Sequence, residues 1–276
     1  MLSLLALASS ACWGTSDFFA GLRSKTLPAA AVVAWSQGLA LALLTVVMSM
    51  RGFGGPTGWV PWAVAAGISG SGALVCFYAA LSTGTMGVVA PVASLGVVVP
   101  VLLGVVTGDQ PPVLAWVGMA VAVLGVALAS GPELTGSLSP RPLVLACIAA
   151  LGFGLALFFL DRGSRVSLLH TLWGMRATSV TMFAVAGLLL RRSGGVGARD
   201  LPALAVIGIG DLSANALFAY ASSHAAVSIS SVLGSLYPVV TVLLARFVLG
   251  ERLRRVQSVG VGVSLLGVAA IALARA

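Results

Sequence analysis

Charge is what this sequence has least of. Only 8% of its 276 residues are Asp, Glu, Lys or Arg, and the acids number 7. Soluble globular proteins carry roughly 25% charged residues, so this chain lacks the means to cover a water-facing surface. Its solvent is mostly lipid. Cysteine is scarce too: Cys12, Cys76 and Cys147 lie inside apolar runs without metal-ligand spacing and read as reduced packing residues. The only histidines, His170 and His224, fall at the ends of apolar runs. No HExxH, GxSxG, P-loop or dinucleotide fingerprint occurs. The chain is therefore expected to be no enzyme and to use no catalytic residue, metal or cofactor. Without a nucleotide site, any driving force must come from a gradient. The net charge of +8 raises nucleic acid as a partner. Lys and Arg, however, stand singly or in small groups between apolar runs, as basic loops of membrane proteins do, and no nucleic-acid partner is expected.

What the sequence has in abundance is long apolar helix. Its mean hydropathy is +1.10, and 59% of its residues are hydrophobic. Ten spans are expected, at 2–22, 28–50, 60–81, 86–107, 112–130, 142–161, 168–190, 201–222, 225–249 and 256–274. Charges and Gly/Pro clusters separate most of them, with weak breaks at 82–85 and 223–224. A period of 2 is absent and the runs are too long for barrel strands, so the spans are helices. Leu2 to Cys12 could pass for a secretory signal. It lacks a basic leader and the aliphatic residue expected before a lipoprotein cysteine, so it reads as a retained first helix.

The chain repeats itself. Gly108, Gly118 and Leu124-Gly125-Val126-Ala127 recur 142 residues later as Gly250, Gly260 and Leu266-Gly267-Val268-Ala269. Trp13-Gly14 and Phe18-Phe19 match Phe153-Gly154 and Phe158-Phe159. Pro61, Gly67-Ile68 and Phe77 match Pro202, Gly208-Ile209 and Phe218, and Trp35 matches Trp173. The expected organisation is a repeat over 1–130, a linker over 131–141 with Pro132 and Pro140, and a second repeat over 142–276. Five spans per half is an odd number, so the second half enters the membrane inverted. The fold class is thus an all-α integral membrane bundle of ten helices in two inverted repeats, with a substrate site between the halves. Gly118 with Ala122, and Gly260 with Ser264, mark helices five and ten as close-packed supports outside that site. Pro91, Pro100 and Pro238 are expected to kink helices four and nine, either as fixed bends or beside a cavity.

With these features the sequence resembles the EamA-type transporters of the drug/metabolite transporter superfamily. The residues that carry the likeness are Trp13-Gly14, Arg176, Ser235-Leu236-Tyr237-Pro238 and Leu249-Gly250-Glu251-Arg252. The resemblance implies a multi-pass protein of the bacterial cytoplasmic membrane. It implies export of amino acids, related metabolites or toxic compounds, often by proton exchange, and a cavity lined by helices one to four and six to nine. The first half departs from the pattern: Gln37-Gly38 stand opposite Met175-Arg176, and Asp109 replaces the usual Glu.

Apart from Asp161 at the last position of its span, four charges fall within spans: Asp17, Arg176, Asp211 and Arg246. Each costs about 2.5–3.5 kcal/mol near a helix centre unless it finds a partner or water. Asp211 is the deepest, and Asn215 one turn on shares its face. It could pair with Arg176 to fix packing, or it could contact substrate and carry protons. Arg246 is expected to snorkel to the interface, and Glu251 and Asp109 to be structural. The candidate cavity residues are Trp13, Asp17, Trp35, Tyr78, Trp173, Arg176, Asp211, Asn215 and Tyr237. The expected partners are a small-molecule substrate, protons and the lipid bilayer, with the oligomeric state open and a monomer included. Asp211→Asn is expected to fold and to lose proton-driven transport, and Glu251→Gln to keep most activity. The alternatives are an integral-membrane enzyme, for which the seven scattered acids argue poorly, and a scaffold subunit, which needs no polar cavity. Basic loops are denser opposite the termini, which would put both termini outside. The family resemblance implies cytoplasmic termini, and that orientation is taken here.

Overall fold

The computed structural model describes residues 2–108, 110, 112–134, 140–190, 194–224, 227–250 and 255–273. Among these, every regular element is helical. They are α1 (Leu2–Arg23), α2 (Ala29–Arg51), α3 (Val60–Thr83), α4 (Met86–Ser94), α5 (Val98–Val106), α6 (Val113–Leu134), α7 (Arg141–Leu190), α8 (Leu201–Ser223), α9 (Val227–Gly234), α10 (Tyr237–Leu249) and α11 (Arg255–Leu273). A helix satisfies its own backbone groups, which lipid cannot do, so a chain this apolar has little other choice. Proline and glycine set the ends. Pro61 and Pro202 open the matching helices α3 and α8 at the first turn, where a missing N–H costs nothing. Gly250 closes α10 in the left-handed conformation, at φ +68°.

Three elements depart from simple spans. The expected fourth helix is broken into α4 and α5 by a 3-10 turn over Leu95–Val97. The expected ninth is broken at Ser235 and Leu236 into α9 and α10. Proline accounts for both: Pro100 removes the donor that would reach the Gly96 carbonyl, and Pro238 the one for Gly234. By contrast α7 runs through two expected spans and turns at Ser167, whose backbone is extended (φ −161°, ψ 111°). At 50 residues it is about 75 Å of helix, far more than one crossing of a ~30 Å core. α6 continues to Leu134, past its expected end, and part of the expected linker, with Asp109 and Glu251, lies outside the described residues.

Large apolar side chains cover the outside, with Met50, Val106, Leu188 and Phe247 among the most exposed. Lipid, not water, is the solvent that tolerates such a surface. Among the described residues five helical stretches are by themselves long and apolar enough to cross a membrane: Ala29–Arg51, Val60–Thr83, Met86–Val106, Arg141–Leu189 and Leu201–Ser223.

Inside, glycines let helix backbones touch, and the contacts come in reciprocal pairs. A Cβ on Gly14 in α1 would overlap Tyr237 and Val240 of α10, and one on Gly154 in α7 would overlap Gly96 and Val99 around the α4–α5 break. A Cβ on Gly125 in α6 would collide with Ser264 and Gly260 of α11, while one on Gly267 in α11 would collide with Ala122 and Gly118 of α6. In the second pair the partners in one half are the sequence counterparts, 142 residues on, of the partners in the other. In the first pair the counterparts Gly14 and Gly154 each meet the broken helix of the other half.

Candidate functional site

A cavity that is partly open to the outside lies among the helices that surround these breaks. Its polar walls come from α1 (Asp17), α2 (Gln37), α7 (Arg176, Ser179) and α8 (Asp211, Asn215), and its aromatic walls from Trp13, Phe153 and Tyr237. Ser94, Gly96, Gly234 and Ser235 bring both helix breaks to its edge. Irregular backbone at membrane depth is tolerated where it lines a cavity, and that is where both breaks sit. Among the described residues none of α6 or α11 lines the cavity. A second, almost wholly apolar pocket lies between those two helices and the α4–α5 and α9–α10 breaks.

Asp211 is the hub of the polar wall. The Arg176 guanidinium donates to Oδ2 at 2.7 Å, and Gln37 Nε2 donates to the same oxygen at 3.2 Å. Asn215 Nδ2 donates to Oδ1 at 3.1 Å and to the Asp211 carbonyl at 2.7 Å. Both oxygens of this acid are therefore occupied, and its charge is matched by a buried guanidinium. Among the described residues no hydrogen-bond partner reaches the buried Arg176 Nε or Gln37 Oε1.

Asp17 is different. It is 5% exposed, and Oδ1 receives only the Tyr78 hydroxyl, at 3.4 Å. Among the described residues no cation stands against it. Trp13 lies one turn before it on α1, and its ring packs on Phe218 at 5.7 Å between centroids. Tyr237 crosses Phe77 edge-on at 6.1 Å, and its hydroxyl donates to the Ala90 carbonyl at 3.5 Å. That contact ties the start of α10 to α4.

The structure thus brings Trp13, Asp17, Arg176, Asp211, Asn215 and Tyr237 to one cavity, with Tyr78 behind Asp17. Trp35 and Trp173 are placed elsewhere. Trp35 is 42% exposed, since it precedes the buried Gln37 by two residues and so faces the opposite side of α2. Trp173 lies a turn before Arg176, toward the edge of the bundle. There its indole N–H donates to Thr45 at 3.1 Å and its ring meets Phe53 edge-on at 5.5 Å. Arg246 is exposed in the last turn of α10.

Two polar residues were not singled out by the sequence. Gln37 was legible only as a departure from the family pattern. Asp161, the last residue of an expected span, is buried and pairs with Arg165 at 3.0 Å, and Arg165 also donates to the Ser222 carbonyl at 3.0 Å. The i, i+4 spacing of Asp161 and Arg165 was the available signal.

A bundle of apolar helices around a polar cavity, with broken helices at its wall, is the architecture of a membrane transporter. The model of the EamA-like transporter family matches residues 1–131 and, a second time, 141–273. This chain belongs to that family. A solved structure described only as "Crystal structure of protein" shares the fold, with a TM-score of 0.76 over 99% of this chain and 97% of its own at 19% identity. A search of curated proteins finds no match.

Proposed function

We propose that this protein is a secondary active transporter that exports a small organic metabolite, amino-acid-like or toxic, from the bacterial cytoplasm in exchange for protons. In this reading the chain crosses the membrane ten times. α4 with α5 forms one span, α9 with α10 another, and α7 forms two. Residues 1–130 and 142–276 are inverted repeats joined over 131–141, and the reciprocal glycine contacts support that relation. One observation carries the function: a cavity that contains two acids and an arginine inside an otherwise apolar bundle. Buried charge in a membrane interior marks a pathway unless packing alone accounts for it, and a scaffold would gain nothing from a polar cavity.

Proton coupling passes to Asp17 in this reading. The Arg176–Asp211 ion pair, at 2.7 Å, supports reading Asp211 as a residue that holds α7 against α8. Among the described residues Asp17 has no such partner. Reconstituted vesicles with an imposed pH gradient and a panel of radiolabelled metabolites test the proposal. Counterflow of at least one solute that collapses with the gradient is expected, with Asp17→Asn abolishing the gradient-driven component. No gradient-dependent flux for any solute in the panel would overturn it.

A further inference from the structure

The cavity's charges do not cancel. Two carboxylates, Asp17 and Asp211, face one guanidinium, Arg176, and that guanidinium is already bonded to Asp211 at 2.7 Å. With both acids ionised the wall carries a formal charge of −1, located on Asp17. A buried unpaired charge is costly, and a ligand of opposite sign that neutralises it gains what the empty site lacks. The surroundings favour one kind of ligand. Gln37 spends its amide N–H on Asp211, which leaves its buried Oε1 without a donor in the same cavity. Trp13 shares a face of α1 with Asp17, Phe153 and Tyr237 add ring surface, and Leu74 and Leu157 add aliphatic surface.

We infer that the transported substrate is a monovalent organic ammonium with an apolar or aromatic body, its N–H groups on Asp17 and Gln37 Oε1 and its body against Trp13 and Tyr237. The inference rests on the transporter reading and narrows its substrate. An ammonium has donors for both acceptors, and its charge gains further from the face of Trp13. A hydrated metal cation would need several oxygen ligands, which this wall does not converge. A substrate carboxylate could use the unpartnered Arg176 Nε, but it would enter a wall that already carries two acids. On one carboxylate an ammonium and a proton exclude each other, so substrate occupancy and protonation of Asp17 are alternatives.

The test uses the purified, detergent-solubilised full chain and calorimetric titration with three probes of similar shape: phenethylamine, phenethyl alcohol and phenylacetate. Phenethylamine is expected to bind at least tenfold more tightly than either of the others. Asp17→Asn should lose at least tenfold in phenethylamine affinity, and Asp17→Glu should recover most of it. Gln37→Leu should weaken binding by a smaller factor. Thermal unfolding of each variant establishes that it is folded. Equal binding by folded Asp17→Asn would overturn the inference, as would preference for phenylacetate or tighter binding of zwitterionic phenylalanine. Because binding is measured without a gradient, the two readings fail separately. Ammonium binding without flux in vesicles would sink the transporter reading alone. Gradient-driven flux of other solutes with no ammonium binding would sink the substrate assignment alone.

Discussion

Asp17 and Asp211 have the same side chain, a similar depth and opposite surroundings, and at this scale the partner decides what an acid can do. Removing the charge of Asp211 strands a guanidinium whose side chain is 3% exposed. The expected cost of Asp211→Asn is on the order of 3–5 kcal/mol of stability, seen as a large fall in thermal unfolding temperature in detergent. This replaces the sequence-based expectation that the variant folds normally. The double variant Arg176→Met with Asp211→Leu should recover most of the loss, because replacing a buried ion pair with apolar groups is often neutral. Asp161→Asn should cost much less than Asp211→Asn in the same assay. Its partner Arg165 is 42% exposed, so water can take over the freed charge. None of these partnerships is local in sequence apart from Asp161 with Arg165. Gln37 and Asp211 are 174 residues apart, which is why the sequence offered Arg176 as one option for Asp211 and could not see Gln37.

At the scale of the helix, glycine and proline carry most of the information. The glycines at crossings have no room for a methyl group: a Cβ on Gly154 would overlap the Gly96 carbonyl, and one on Gly208 would overlap Ser36. Gly154→Ala and Gly208→Ala should each destabilise the protein by about 1–3 kcal/mol through overpacking. Gly262→Ala, where nothing lies within 4 Å, should not, and should gain slightly from helix propensity. Thermal unfolding of the three variants side by side measures this. Proline acts on the cavity wall. Pro100→Ala restores a donor for the Gly96 carbonyl and should straighten the α4–α5 break. The expected outcome is a more stable protein whose initial transport rate in vesicles falls several-fold, and an unchanged rate would make the break a fixed bend with no part in transport. The positions of both breaks were legible in the sequence because proline's missing N–H is a local property. That they meet at one cavity was not, since that depends on how α1, α7 and α8 pack around them.

Across the whole molecule, the ten-crossing reading fixes an even number of passes, so both termini should face the same compartment. Reporter fusions at residue 1 and residue 276 should give the same signal, and opposite signals would remove a span. The sequence by itself determined the solvent, the secondary structure and the duplication. Charge scarcity forces lipid, lipid forces helices, and a repeat of glycines and prolines about 142 residues apart is written in the residues directly. It also selected most of the residues that line the cavity, because a charge within a span is conspicuous wherever it points. Only the tertiary structure decided which acid has a cation beside it and which, among the described residues, has none. It turned Trp35 outward and held Trp173 at the edge against Thr45 and Phe53, although both had been expected inside. The physical reason is that an apolar helix in lipid has no amphipathic stripe to announce its inner face. The rotation of each helix is set by where its glycines let a neighbour approach, and that is a property of pairs of helices.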